Sequence, residues 1–107
     1  MLDIHVGESK DSAAKARQLF QIDVSSHEKI FARIGVDESK FPKLSKMRDY
    51  YSDAMFIAEE LHELMMEIDE TMKRFIYDAS VTKVLQTFRS TCEVALKADK
   101  AVFCFAD

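Results

Sequence analysis

Glycine and proline are scarce in this 107-residue chain, with two Gly and one Pro. A many-stranded β fold needs turn formers at each reversal, so their scarcity favours long helices joined by few connections. Tryptophan is absent, and cysteine occurs twice. Cys92 and Cys104 stand in apolar surroundings with neither C-x-x-C nor metal-ligand spacing, which reads as two reduced, buried thiols and not as a disulfide framework. No apolar run approaches the roughly 18 residues that a membrane span requires. The opening Met1-Leu2-Asp3-Ile4-His5-Val6 lacks the basic start and long apolar stretch of a signal peptide, so the expected location is the cytoplasm.

Positive charge is not in excess either: 15 Lys and Arg stand against 19 Asp and Glu, a formal net charge of −4. General affinity for nucleic acid or for an anionic membrane needs a basic surface, so neither is an expected partner. The phosphate-binding glycine motifs, the H-E-x-x-H zinc motif and the nucleophile elbow are all missing. An enzyme is therefore not expected, and neither a cofactor nor a metal is called for. What is present is ordinary globular composition, 48% hydrophobic and 32% charged, enough for one domain over residues 1–107 around one core.

Leu2, Ile4 and Val6 alternate with Asp3 and His5, the period of a half-buried strand that Gly7 ends. Residues 8–17 read as a loop running into a short helical turn. Phe20, Ile22 and Val24 alternate with Gln21 and Asp23, and over residues 16–24 strand and helix compete. Ser25-Ser26-His27-Glu28 fits the S-x-x-E capping box, and Ile30, Phe31 and Ile34 form the apolar face of a short helix that Gly35 stops. Asp37 to Pro42 is the next boundary.

The longest periodic signal follows. Leu44, Met47, Tyr51, Ala54, Ala58, Leu61, Met65, Ile68, Met72 and Phe75 are spaced alternately three and four apart, with no Gly or Pro between them. That spacing predicts one helix from about Lys43 to Ile76, on the order of 50 Å long. Asp78 or Ser80 caps a further helix whose apolar face is Val81, Val84, Leu85, Phe88, Cys92, Ala95 and Leu96, and a connection this short makes the two an antiparallel αα-hairpin. Ala101 to Ala106 is β-rich and apolar on both faces, which suits a buried strand beside the N-terminal one. The expected fold is α+β and predominantly helical: a long αα-hairpin with a short preceding helix, and a small sheet formed by the N- and C-terminal strands.

Between Asp49 and Glu70 lie eight acids and no Lys or Arg. On the predicted helix, Asp49, Asp53, Glu60, Glu63, Glu67 and Glu70 line one ridge opposite the apolar seam, with Phe56 filling its one gap and Met66 beside it. A helix shaped for stability alone intersperses Lys, because acids three and four apart repel. The ridge is either a solvated face or a docking surface for a basic partner, with Phe56 as an apolar anchor inside a charged ring. Glu59-x-x-His62 matches half of a di-iron motif, but a second copy is missing from the sequence.

The segment Leu44-Ser45-Lys46-Met47-Arg48-Asp49-Tyr50-Tyr51-Ser52-Asp53, continued by Glu59-Glu60-Leu61 to Leu64, resembles small immunity proteins of polymorphic and contact-dependent bacterial toxins. The likeness spans about a fifth of the chain. Immunity proteins share no common fold, so it transfers no residue roles. It implies a mode of action: a small acidic cytosolic protein that covers the active site of a basic, nuclease-type toxin. Two other readings compete, a homodimeric structural or adaptor module in which the seam pairs with a second copy, and a metal-binding helical protein using Glu59 and His62.

Overall fold

The computed structural model describes residues 1–107, the side chains of residues 36–38 excepted. Two of those, Asp37 and Glu38, belong to the boundary expected at Asp37–Pro42 and lie outside the described side chains. The chain is α+β. Strand β1 (Leu2–Gly7) is followed by helix α1 (Lys10–Lys15), β2 (Phe20–Ile22) and α2 (Val24–Ile34). Two 3-10 segments, Gly35–Lys40 and Leu44–Met47, lead to β3 (Ala54–Phe56). A 3-10 turn, Ala58–Glu60, runs into α3 (Leu61–Lys73), then α4 (Ala79–Lys97) and β4 (Ala101–Phe105).

The strands form one antiparallel sheet in the order β2-β1-β4-β3. The two strands expected at the ends of the sequence are its central pair, with Ile4 opposite Cys104 and Val6 opposite Val102. Phe20 to Ile22 resolves the open choice over residues 16–24 as an edge strand, and Val24 begins the next helix. The period of two along β1 and β4 puts Leu2, Ile4, Val102 and Cys104 on the face that α2, α3 and α4 cover, all four 0% exposed. Burial pushes the Cys92 thiol up to about 12 and raises that of Cys104 as well, so both stay protonated within this core.

The other face carries Ala101, Phe103 and Phe105, with α1 packed over them through Ala13. Ser9 and Ser12 cap α1 reciprocally, each side chain bonding the other's amide. Close approach makes Gly7 necessary here: a Cβ at that position would sit 2.7 Å from Ala13 N and 2.8 Å from its Cα. Gly7→Ala should therefore lift α1 from the sheet and cost about 1–3 kcal/mol, the range for overpacking. Thermal unfolding would measure it, and a melting point equal to wild type would mean that α1 is not seated on β1.

Two helix starts differ from the expected ones or choose between them. The cap of α2 is Asp23, whose carboxylate accepts from Ser26 N at 3.3 Å, so the Ser25-x-x-Glu28 box is already inside the helix. Asp78 caps α4, accepting from Val81 N at 3.2 Å. Gly35 ends α2 in a right-handed conformation (φ −59°) and passes the chain into a 3-10 segment, so it is no left-handed stop.

The long helix is the main correction. Leu44–Met47 and Ala58–Glu60 are short 3-10 turns, and only Leu61–Lys73 is α-helical. Within it the seam holds, for Leu61, Leu64 and Ile68 are 0% exposed against α4 and the sheet. Asp69 meets Arg89 of α4, and the Phe75 carbonyl accepts from Thr82 Oγ1. Before Leu61 the spacing has no continuous α-helix behind it, and Tyr51, a seam position, is 78% exposed. The cause is local. The Asp49 carboxylate accepts from Tyr51 N and from Ser52 Oγ, both at 2.9 Å, and closes a turn that competes with helical hydrogen bonds. His27 donates from Nε2 to the Met47 carbonyl at 2.7 Å, and Tyr50 Oη donates to the Ile22 carbonyl at 3.0 Å, which ties the segment down onto α2 and β2.

Candidate functional site

The structure takes the predicted ridge apart. Asp49 sits in the turn just described, where the Tyr51 amide and the Ser52 hydroxyl hold its carboxyl below the ordinary value. Asp53 precedes β3; it accepts from Ala106 N at 2.8 Å and lies 3.6 Å from Lys10, on the sheet side of the molecule. Phe56 is not an outward anchor. At 0% exposure it is a core residue of β3, its ring edge-on to Phe88 with centroids 6.5 Å apart. Phe56 faces inward because the backbone there is extended, and period two aims Ala54 and Phe56 at the core.

Glu60 is enclosed by cations. Lys46 Nζ reaches its two oxygens at 3.0 and 2.9 Å, Lys43 Nζ one of them at 3.3 Å, and Ile57 N donates at 3.1 Å. Burial raises its pKa, but the bonds from Lys46, Ile57 and Lys43 outweigh that and leave it below the ordinary carboxylate value. The same Lys46 ammonium bonds the Met55 carbonyl at 2.6 Å and lies 4.8 Å from the centre of the Phe56 ring, which blunts the β3 edge against strand pairing. Glu67 turns inward, 8% exposed, and accepts from Lys43 N at 3.0 and 3.1 Å and from Leu44 N at 2.9 Å. It has a structural task and cannot also present charge to a partner.

Three of the eight residues keep an outward position together. Glu63, Met66 and Glu70 follow one another at helical spacing along the exposed face of α3. Met66 is 58% exposed. The Glu63 side chain is 65% exposed with Lys43 3.6 Å away, and Glu70 pairs at the surface with Lys73 at 2.8 Å, which lowers its pKa. These three form one wall of an open groove of about 430 Å³ whose other side includes Phe41 and Pro42. Lys40 and Arg74 also line it, and the Arg74 guanidinium lies 4.9 Å from the centre of the Phe41 ring.

Phe41, Pro42 and Arg74 are not among the site residues expected on the ridge, because they reach the groove only through the turn that Glu67 holds. The one local signal was an apolar residue beside the chain's single proline. Glu59 and His62 are both exposed beside this face, and the described residues contain no group of three His, Cys, Asp or Glu side chains placed to hold a metal. His5 and His27 are occupied structurally, His5 Nδ1 against the Ala16 carbonyl at 3.1 Å and His27 against Met47. Among the described residues, no helix is long and apolar enough to cross a membrane. No protein-family model matches the chain, and neither a curated protein nor a solved structure is similar to it.

Proposed function

We propose that this chain is a non-enzymatic cytoplasmic binding protein, of the immunity class that neutralises a basic, nuclease-type toxin domain. The observation that supports it is the outward face of α3: a half-exposed thioether, Met66, between two accessible carboxylates, beside an apolar wall of Phe41 and Pro42. An adaptable apolar centre within a charged rim is the arrangement that gives a protein interface both residence time and fast encounter. α3 is also a stiff platform, since its opposite face is buried along its length. The homodimer reading loses its surface, because the seam from Leu61 to Phe75 is spent on contacts within the chain.

The test is co-expression with the basic domain encoded beside its gene, followed by binding kinetics on the purified pair. The chain should protect the host cell. Met66→Ala should speed dissociation and weaken binding roughly tenfold. Glu63→Lys with Glu70→Lys should mainly slow association and flatten its salt dependence. All three positions are exposed, so the variants should remain folded. Failure to protect, or variants that bind and protect as wild type does, would remove this face as the docking surface.

A further inference from the structure

A second concavity lies between α2 and the connection from α3 to α4, and it shares Arg74 with the groove beside Met66. It encloses about 610 Å³ and is lined among the described residues by Lys29, Arg33, Arg74, Phe75, Tyr77 and Asp78. We propose that this cleft is an anion site for a small phosphorylated ligand, held by the Arg33 guanidinium and the Lys29 ammonium beside the exposed ring of Tyr77.

Charge is the first argument. The chain is acidic overall, at −4, yet Lys29 and Arg33 line this cleft with one described acid, Asp78. Lys29 and Arg33 stand one turn apart on the same face of α2, a spacing at which like charges repel. Among the described residues, only Lys29 of this pair has a carboxylate beside it. Lys29 Nζ is 3.6 Å from Asp78 Oδ2, while the other Asp78 oxygen already accepts from Ser80 Oγ at 2.8 Å and from Val81 N. Arg33 has no carboxylate partner among the described residues. Three cations are held closer to their acids than Lys29 is: Lys46 to Glu60 at 2.9 Å, Lys73 to Glu70 at 2.8 Å and Arg89 to Asp69 at 2.7 Å.

The second argument is preorganisation. The Arg33 guanidinium lies 5.7 Å from the centre of the Phe75 ring, and that ring is fixed in the core at 7% exposure. An arginine held over an aromatic ring by cation–π attraction has less rotamer freedom to lose on binding, and the ring takes up none of its N–H donors by hydrogen bonding to a carboxylate. A fork of donors next to a point charge suits a doubly charged tetrahedral oxyanion, which brings three acceptor oxygens and a second negative charge where a carboxylate brings two oxygens and one charge. Tyr77 adds an apolar surface that the protein itself leaves unused, since its side chain is 98% exposed. The enclosed volume falls in the range of small-ligand sites, roughly 300–1,000 Å³.

This site does not depend on the α3 face being an interface, and the experiment reads it separately. Isotope-labelled full-length protein is titrated at low ionic strength with inorganic pyrophosphate and, in parallel, with phenyl phosphate. The expected result is saturable shifts confined to the Arg33 side chain and to the amides from Tyr77 to Ser80, with the Tyr77 ring protons moving as well for phenyl phosphate. Arg33→Gln should weaken pyrophosphate binding at least about tenfold, the equivalent of one charge-assisted contact. Lys29→Gln should weaken it too, whereas Lys97→Gln, at the far end of α4, should bind as wild type does. Arg33 and Lys29 are exposed, so unchanged spectra of the free variants will establish that they fold. Shifts that scatter over the surface lysines without saturating would overturn the proposal, and so would wild-type affinity in both Arg33→Gln and Lys29→Gln.

Discussion

Phe56→Ala should destabilise the protein by about 3–5 kcal/mol, the range for removing a fully buried aromatic ring. The ring is 0% exposed and does three things at once. It fills the space between β3 and α4, where it meets Phe88 edge-on. It offers its face to the Lys46 ammonium, 4.8 Å from the ring centre. Through that lysine it supports the cluster on Glu60, which holds the 3-10 turn at the start of α3. Truncation opens a cavity that a four-stranded sheet cannot collapse to fill, and it removes the surface on which Lys46 rests. In a domain of this size the loss should lower the melting point by roughly 15–30 °C. Urea unfolding gives the same answer as a change in midpoint. An outward position on a helix would leave stability within about 0.5 kcal/mol of wild type. A result of that size would mean that residues 54–56 are not a strand.

Phe56 also shows how far local pattern reading reaches in this chain. β1, α4 and β4 were legible because each has a period that only one kind of element satisfies, and burial agrees with it. In α4, Val81, Leu85, Phe88, Cys92 and Ala95 are all buried and Val84 partly so, while Leu96 at the end of the expected face is exposed. α3 was legible for the same reason. Residues 44–58 were not, because their apolar positions answer to two different geometries. Leu44 and Met47 are buried one 3-10 turn apart, and Ala54 and Phe56 face inward at the period of a strand. Leu44, Met47 and Ala54 fall on the steps of three and four, whereas Tyr51 between them is exposed and Phe56 lies off the seam. The features that break the helix are side chains bonding backbone, Asp49 to its own turn and Glu67 to the turn at Lys43, and hydrophobic periodicity carries no information about either. The candidate surface divides along the same line. Glu63, Met66 and Glu70 keep their expected relation because they lie on the real helix. Asp49, Asp53 and Phe56 lose theirs with the helix that was to carry them, while Glu60 and Glu67 remain at helical spacing and are drawn into the structure by the chain before β3.

Glu67→Ala is the second substitution expected to be severe, at about 2–4 kcal/mol. The start of the Leu44–Met47 turn has no local cap, since Lys43 makes no side-chain bond to it. Its free amides are satisfied instead from α3. Lys43 N donates to both Glu67 oxygens at 3.0 and 3.1 Å, and Leu44 N to one of them at 2.9 Å. The carboxylate thus acts as a helix cap supplied from more than twenty residues downstream, and it fastens the inner wall of the groove to the helix that carries Met66. Hydrogen bonds to a charged acceptor contribute about 1.5–3 kcal/mol each, and removing the acceptor strands two amides, one of them buried, without a partner. Alanine should therefore do more damage here than at Glu63 or Glu70, whose carboxylates are solvated, so Glu63→Ala should fall within about 0.5 kcal/mol of wild type. Glu67→Gln keeps one carbonyl oxygen in reach and should recover roughly half of the loss. Urea unfolding ranks the variants, and amide hydrogen exchange at Lys43 and Leu44 locates the effect, since both amides should exchange faster in Glu67→Ala while α4 keeps its protection relative to global stability. If Glu67→Ala unfolds with the wild-type midpoint, the cap is not made in solution, and the groove beside Met66 would have no rigid wall for a partner to bind against.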